Sequence, residues 1–179
     1  MTKRISEAME NLLNEQLTRE AYQAQVYLSF GSWAEVSGFP GIAAFFYKHS
    51  QEEREHMFKF LKYVNDRGGH AVIKAIDGPP KDPSDIADCL RQTLEHEEQN
   101  SAEIDKIIGL AHEEKDWATF SFGQWFAQEQ IEEENLIRGV VDKYALASDE
   151  QKHNANLYAL DRDMENASQE APLPRQAEI

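Results

Sequence analysis

The sequence is poor in cysteine, in positive charge and in long apolar runs. Its 179 residues include one cysteine, Cys89, which excludes both an internal disulfide and a cysteine-rich metal site. Lysine and arginine number 18 against 33 aspartates and glutamates, so the formal net charge is −15. We therefore expect no nucleic-acid partner and no membrane partner, because both attract positively charged proteins. The longest apolar stretch, near residues 39–47, is too short to span a bilayer.

The remaining composition is that of a globular protein, with 41% apolar and 28% charged residues. The first residues, MTKRISEAMENLL, lack the apolar centre of a secretory signal peptide. Together with the single cysteine, this pattern favours a cytoplasmic location.

Proline is confined to a few positions, at 40, 79, 80, 83, 172 and 174. Because proline inside a helix removes a hydrogen bond, the long proline-free segments are free to form long helices. We predict an all-α fold of four long helices and a short fifth one. The expected helices run from about Ser6 to Val36, Ile42 to Asp66, Asp82 to His112, Asp116 to Ala145, and onward from Ser148.

Two of these starts rest on capping patterns. Asp82 is expected to cap the third helix with Pro83 at its first position, and Ser148 with Gln151 resembles a capping box. We expect one domain over residues 1–167 and a disordered tail over residues 168–179.

The connections between the predicted helices indicate a topology. A short turn joins the first helix to the second, and another joins the third to the fourth. Each of these two pairs should therefore form an antiparallel hairpin. The link over residues 68–81 can cover the length of a helix when it is extended. The prediction is a four-helix bundle with one long crossover connection.

Each predicted helix has an apolar seam that is interrupted by carboxylates near its middle. In the fourth helix the seam includes Phe122, Phe126, Leu136 and Val140. The interrupting residues are Glu20 in the first helix, Glu53 and His56 in the second, Glu97 in the third, and Glu129 and Glu133 in the fourth.

Four carboxylates at similar heights cannot share a dry core as free anions. Either most of them are protonated, or cations lie between them. Carboxylates with imidazole are good ligands for divalent iron or manganese. A single Glu-x-x-His pattern is common on exposed helices, and Tyr27 could be an ordinary core aromatic residue. Four interrupted seams are harder to explain without a metal.

The motifs that carry these residues resemble those of the ferritins, specifically the haem-free bacterial ferritins. They are LNEQLTREAYQAQVYL, HSQEEREHM, LEHEEQNSAEI and FGQWFAQEQIEEE, one in each long helix. The resemblance covers nearly the whole chain up to the fifth helix. It implies a ferritin-like bundle that stores iron and acts as a ferroxidase.

The resemblance also implies a ligand set for non-haem iron. One iron would bind Glu20, Glu53 and His56, and a second would bind Glu53, Glu97 and either Glu133 or Gln130. Tyr27 matches the tyrosine beside this di-iron centre. A third iron site is implied as well, and its ligands would be Glu52, Glu129, Glu132 and Glu133.

Other family properties follow as expectations. Fe(II) would be oxidised by O2 or H2O2, and the ferric mineral would collect inside a shell of 24 identical chains. Haem is not expected, because Arg54 occupies the position where haem-binding relatives carry a methionine.

Two alternatives remain open at this stage. A ferritin-like di-iron oxidase or peroxidase would use the same bundle and ligands without storing mineral. A protective shell like the small DNA-protecting relatives is less favoured, because those place their metal between subunits and often carry basic tails.

Overall fold

The structure, a computed structural model, describes residues 2–148 and 155–170. Within these residues all regular structure is helical, and no helix is long and apolar enough to cross a membrane. The five helices are α1 (Glu7–Val36), α2 (Pro40–Asp66), α3 (Ile86–Glu114), α4 (Trp117–Ala147) and α5 (Ala155–Glu170). The predicted all-α class with a short fifth helix is confirmed.

Side-chain caps explain where three helices begin. Ser6 accepts a hydrogen bond from the backbone of Met9 at the start of α1, and Asp116 does the same for Thr119 at the start of α4. The predicted cap of α3 at Asp82 is wrong by three residues. Asp85 is the cap there, because its carboxylate accepts from the Asp88 N–H at 2.8 Å.

The fifth helix also differs from its predicted start. Ser148 follows the last residue of α4 and donates its N–H to the carbonyl of Tyr144, so it ends that helix. Its predicted partner Gln151 lies outside the described residues. The helix α5 continues to Glu170, beyond the expected start of the tail, and residues 171–179 lie outside the described residues as well.

The start of α2 is capped by another helix. Phe39, the residue before α2, makes no side-chain cap, but Asp161 of α5 accepts a hydrogen bond from the Ile42 N–H at 2.9 Å. A Cβ atom at Gly41 would lie 1.8 Å from the backbone oxygen of Asp161. The glycine therefore permits the close approach that places α5 across the beginning of α2.

Two apolar clusters show how the helices run. Ile86 near the start of α3 packs in the same cluster as Ile42 near the start of α2. Ile107 and Phe60, near the opposite ends of these helices, share the second cluster. The helices α2 and α3 are therefore parallel, as the predicted long crossover requires, and the link between them is anchored where Asn14 accepts from the Val72 N–H.

The predicted seam of α4 is displaced by one residue in three places. Leu136 is 41% exposed and Phe122 and Glu129 are half-buried, whereas the residues that follow them, Ile137, Gly123 and Gln130, are buried. At Phe122 the cause is a close contact between α3 and α4, since a Cβ atom at Gly123 would lie 2.7 Å from the side chain of Ile108. The bundle turns the glycine inward and Phe122 toward its edge.

Candidate metal centre

A layer of buried polar residues separates the two apolar clusters. It draws on all four long helices, and most of its members are less than 5% exposed. Polar groups at this depth normally require hydrogen-bond partners or bound cations. The members are Gln16, Glu20, Gln23, His49, Glu53, His56, Glu97, Asn100 and Gln130.

The deepest part of the layer contains Glu20 of α1 with Glu53 and His56 of α2, which we call the inner group. The Nδ1 atom of His56 lies 3.5 Å from Glu53 Oε2 and 3.9 Å from Glu20 Oε2. Each of the three residues offers one ligand atom, and these three atoms lie within 4.8 Å of one another. The helical spacing of three residues places Glu53 and His56 on the same face of α2.

Phe126 and Trp125 form one wall of the inner group. Both rings meet the His56 imidazole edge to face, with centroid distances of 5.5 and 5.9 Å. This packing holds the imidazole with its Nδ1 atom toward the two carboxylates.

Burial controls the electrostatics of the inner group. Burial, followed by repulsion from Glu53, raises the pKa of Glu20 well above its usual range. Burial likewise raises the pKa of Glu53. Burial therefore opposes the ionisation of both carboxyl groups when no cation is present.

The inner group has ligand atoms that no protein group satisfies. Glu20 Oε2, Glu53 Oε2 and His56 Nδ1 are all buried and, when both carboxyl groups are ionised, have no hydrogen-bond partner among the described residues. Unpaired buried oxygen and nitrogen atoms that converge on one space are costly unless a cation binds there. Two carboxylates and an imidazole are a donor set that suits divalent iron. The residues therefore fit an iron ion.

A second cluster lies nearer the surface, and we call it the outer group. His49 Nδ1 lies 3.2 Å from Glu52 Oε2 and 3.4 Å from Glu133 Oε2. These three ligand atoms also lie within 4.8 Å of one another. Burial, with repulsion from Glu97, raises the pKa of Glu133 to about 9, and burial lowers the pKa of His49 to about 3. His49 is therefore neutral at pH 7 and available as a ligand.

Glu97 of α3 lies between these groups and is held by three donors. Tyr27 donates its hydroxyl to Glu97 Oε1, and Gln23 donates to the same oxygen at 2.8 Å. Gln130 donates to Glu97 Oε2 at 3.1 Å, while Gln23 also reaches Glu53 Oε1 at 3.2 Å. Burial and the charge of Glu97 raise the pKa of Tyr27, so its hydroxyl keeps its proton.

Two predicted ligands of the third iron site lie toward the surface. Glu132 is exposed and accepts a hydrogen bond from Gln128, and Glu129 is half-buried. Glu129 is near enough for its charge to raise the pKa of Glu52 and of Glu133. The structure thus brings Glu52 and Glu133 together with Glu129 close by, and the role of Glu132 stays a prediction.

Four residues of the layer were not assigned to the site from the sequence. They are His49 and the three amides Gln16, Gln23 and Asn100. A signal was available for each. His49 precedes Glu52 by three residues and Gln16 precedes Glu20 by four. Gln23 follows Glu20 by three and Asn100 follows Glu97 by three, so each shares a helical face with a carboxylate.

Comparison with known proteins agrees with the resemblance seen in the motifs. Residues 10–147 match the family model described as a ferritin-like domain. The chain is 36% identical over 167 residues to the "Probable bacterial non-heme ferritin-like protein" of Haemophilus influenzae, which covers 93% of this chain and 99% of that protein. It is 35% identical over 162 residues to the bacterial non-heme ferritin of Campylobacter jejuni, covering 90% of this chain and 95% of that one.

A solved structure shares the architecture. The open-pore ferritin of Archaeoglobus fulgidus superposes with a TM-score of 0.87 at 32% identity, over 90% of this chain and 97% of that one. The residues that the family model matches include all members of the inner and outer groups.

Proposed function

Since this chain belongs to the ferritin family, we propose that it oxidises Fe(II) at the buried polar layer and stores the product as ferric mineral. The observation that supports this most directly is the convergence of unpartnered ligand atoms from Glu20, Glu53 and His56. An apolar bundle would not maintain such a cluster for stability alone, because it costs free energy without a cation.

The proposed ligands belong to two neighbouring iron positions in the layer. One Fe(II) binds Glu20, Glu53 and His56. The second shares Glu53 and adds Glu97, with Glu133 or Gln130 completing its ligand set. Iron would reach these positions by way of the outer group, where Glu52 and Glu133 are accessible from solvent.

Iron binding should release protons from the buried carboxyl groups. The buried carboxyl groups tend to be protonated without a cation, so Fe(II) displaces those protons as it binds. The ionised carboxylates then stabilise Fe(III) more than Fe(II), because the attraction grows with the charge of the cation.

A pair of iron ions suits the chemistry of the oxidant. Each Fe(II) gives one electron, so O2 takes up two electrons and two protons and leaves as H2O2. When H2O2 is the oxidant, two electrons and two protons convert it into two water molecules. Tyr27, which donates to Glu97, is placed to orient that carboxylate or to supply a further electron.

Storage requires an enclosed space, and we propose that 24 chains form it. The apolar face of α5, which buries Leu160 and Met164 against the bundle, would lie near the four-fold contacts of this shell. The cytoplasm remains the expected location.

The decisive experiment adds excess Fe(II) in air to the metal-free protein and measures the iron that co-elutes on a sizing column. Storage predicts iron far in excess of a few ions per chain, carried by a very large particle. A pair of iron ions per chain on a small oligomer would instead support a di-iron oxidase without mineral.

A further inference from the structure

Three buried amides connect the two carboxylates at opposite sides of the polar layer. Gln16 Nε2 donates to Glu20 Oε1 at 2.7 Å and to Asn100 Oδ1 at 2.5 Å. Asn100 Nδ2 donates to Gln130 Oε1 at 3.3 Å, and Gln130 Nε2 donates to Glu97 Oε2 at 3.1 Å. The chain of hydrogen bonds therefore runs from α1 through α3 and α4 and back to α3.

The two acceptor groups of Glu97 determine which amide atoms along this chain donate and which accept. Gln130 Nε2 faces both the backbone carbonyl and the carboxylate of Glu97, and an NH2 group is the partner that both require. Its oxygen must then face Asn100, which has to supply an NH2 group. The Asn100 oxygen is left toward Gln16, which donates to it.

The chain leaves one oxygen of Glu20 free for a metal. Gln16 engages Oε1, while Oε2 is buried without a partner beside Glu53 and His56. Loss of Gln16 would allow the Glu20 carboxylate to rotate and would leave Asn100 with an unsatisfied oxygen. Outer hydrogen bonds of this kind orient metal ligands in many metalloproteins.

The same chain orients Glu97. Gln130 accepts a hydrogen bond from Asn100 through its side-chain oxygen, and this leaves its NH2 group toward Glu97. Gln130 is thus arranged as a donor to that carboxylate.

On this basis we infer that Gln16, Asn100 and Gln130 are positioning residues. They orient Glu20 and Glu97 through one continuous chain of hydrogen bonds. This inference rests on the proposed function, because it concerns the same metal positions.

The test is an anaerobic titration of the full-length, metal-free protein with Co(II), a redox-stable probe whose visible spectrum reports its coordination. The variants are Gln16→Leu and Asn100→Leu, with Asn100→Ser as a smaller replacement should the leucine variant fold poorly. We expect the affinity of one of the inner Co(II) positions to fall about 10- to 100-fold in each variant. The two leucine changes combined should cost less than the sum of their separate effects, because each breaks the same chain.

Asn14→Leu is the matched control. Asn14 is a buried amide on α1, but it bonds the link between α2 and α3 at His70 and Val72 rather than the metal layer. The Asn14→Leu variant should have a lower melting temperature. Both of its Co(II) affinities should stay within about twofold of the original, well below the change expected when a residue that hydrogen-bonds to a metal ligand is lost.

The possible failures are distinguishable. Original affinities in the Gln16 and Asn100 variants would overturn the positioning role and leave the proposed function intact. Equal losses of affinity in the Asn14 control would also overturn it, because a general loss of stability would then explain the effect. An unmodified protein that binds no Co(II) in the polar layer would contradict both proposals.

Discussion

The inner and outer groups use the same ligand types at different depths. Each combines two glutamates with one histidine, yet the inner side chains are at most 5% exposed while Glu52 and Glu133 reach 12 and 18%. The inner group joins α1 to α2, and the outer group joins α2 to α4. Under the proposed function, this difference in depth favours reaction at the inner group and exchange with solvent at the outer group.

Removing the shared inner ligand should have the largest effect. Glu53→Ala deletes a carboxylate that both proposed iron positions use, and it leaves Glu20 and His56 facing a cavity. We expect the rapid phase of Fe(II) oxidation to slow by more than about 100-fold, beyond the losses typical of outer hydrogen-bond partners. Stopped-flow absorbance of the ferric product would measure this. Rapid oxidation at the original rate would show that the chemistry occurs elsewhere.

Changing the outer group should separate the exchange of iron with solvent from the oxidation of iron at the inner group. His49→Leu removes the ligand atom nearest to Glu52 and Glu133 but does not alter the inner group. We expect a third Co(II) per chain to bind at least about tenfold more weakly, while the Co(II) bound by Glu20, Glu53 and His56 retains its affinity. The division between the two groups would be wrong if the affinity of that inner position fell by as much.

The elevated pKa of Glu133 predicts that the stability of the metal-free protein depends on pH. Its folded pKa is about 9 against a usual value near 4.5, so the folded state binds the extra proton between these values. The free energy of unfolding should therefore fall as pH rises from 7 to 9, by at most about 1.4 kcal/mol per pH unit from this group. His49, with a lowered pKa, contributes only below about pH 6.5 and does not offset this trend.

Chemical denaturation of the metal-free protein at several pH values would measure that slope. Glu133→Gln is the matched variant, because it keeps the shape of the side chain and removes the titration. Its slope should be shallower, and an unchanged slope would rule out Glu133 as the source.

The smallest effect on metal binding is expected far from both groups. Asp161→Ala removes the acceptor that α5 provides for the first turn of α2. We expect about 1 kcal/mol of lost stability, as for other helix caps, with both metal groups unaffected. Thermal unfolding combined with Co(II) titration would test this, and a weakened inner group would mean that α5 controls the geometry of the centre.

The sequence predicted the fold and the buried carboxylates for one physical reason. Glu20, Glu53 and Glu97 interrupt otherwise apolar helical faces, and such interruptions are visible without a structure. The parallel arrangement of α2 and α3 followed from the length of their link. The starts of α1 and α4 agree with the prediction, but the capping argument misplaced that of α3, because Asp82 and Asp85 are both acceptable caps and only the bond to Asp88 distinguishes them.

Features that depend on contacts between helices were not predictable in this way. Gly123 rotates the buried face of α4 by bringing it close to Ile108, and no local pattern reports such an approach. The hydrogen bonds among Gln16, Asn100 and Gln130 likewise depend on the relative heights of three helices. The cap that Asp161 supplies to α2 joins residues 119 positions apart.

The most direct test of the account is anomalous diffraction from crystals soaked anaerobically in Fe(II). The account predicts an iron peak bound by Glu20, Glu53 and His56, a neighbouring peak that shares Glu53 with Glu97, and a weaker peak among His49, Glu52 and Glu133. Iron bound only at surface carboxylates, with no peak in the buried layer, would contradict it.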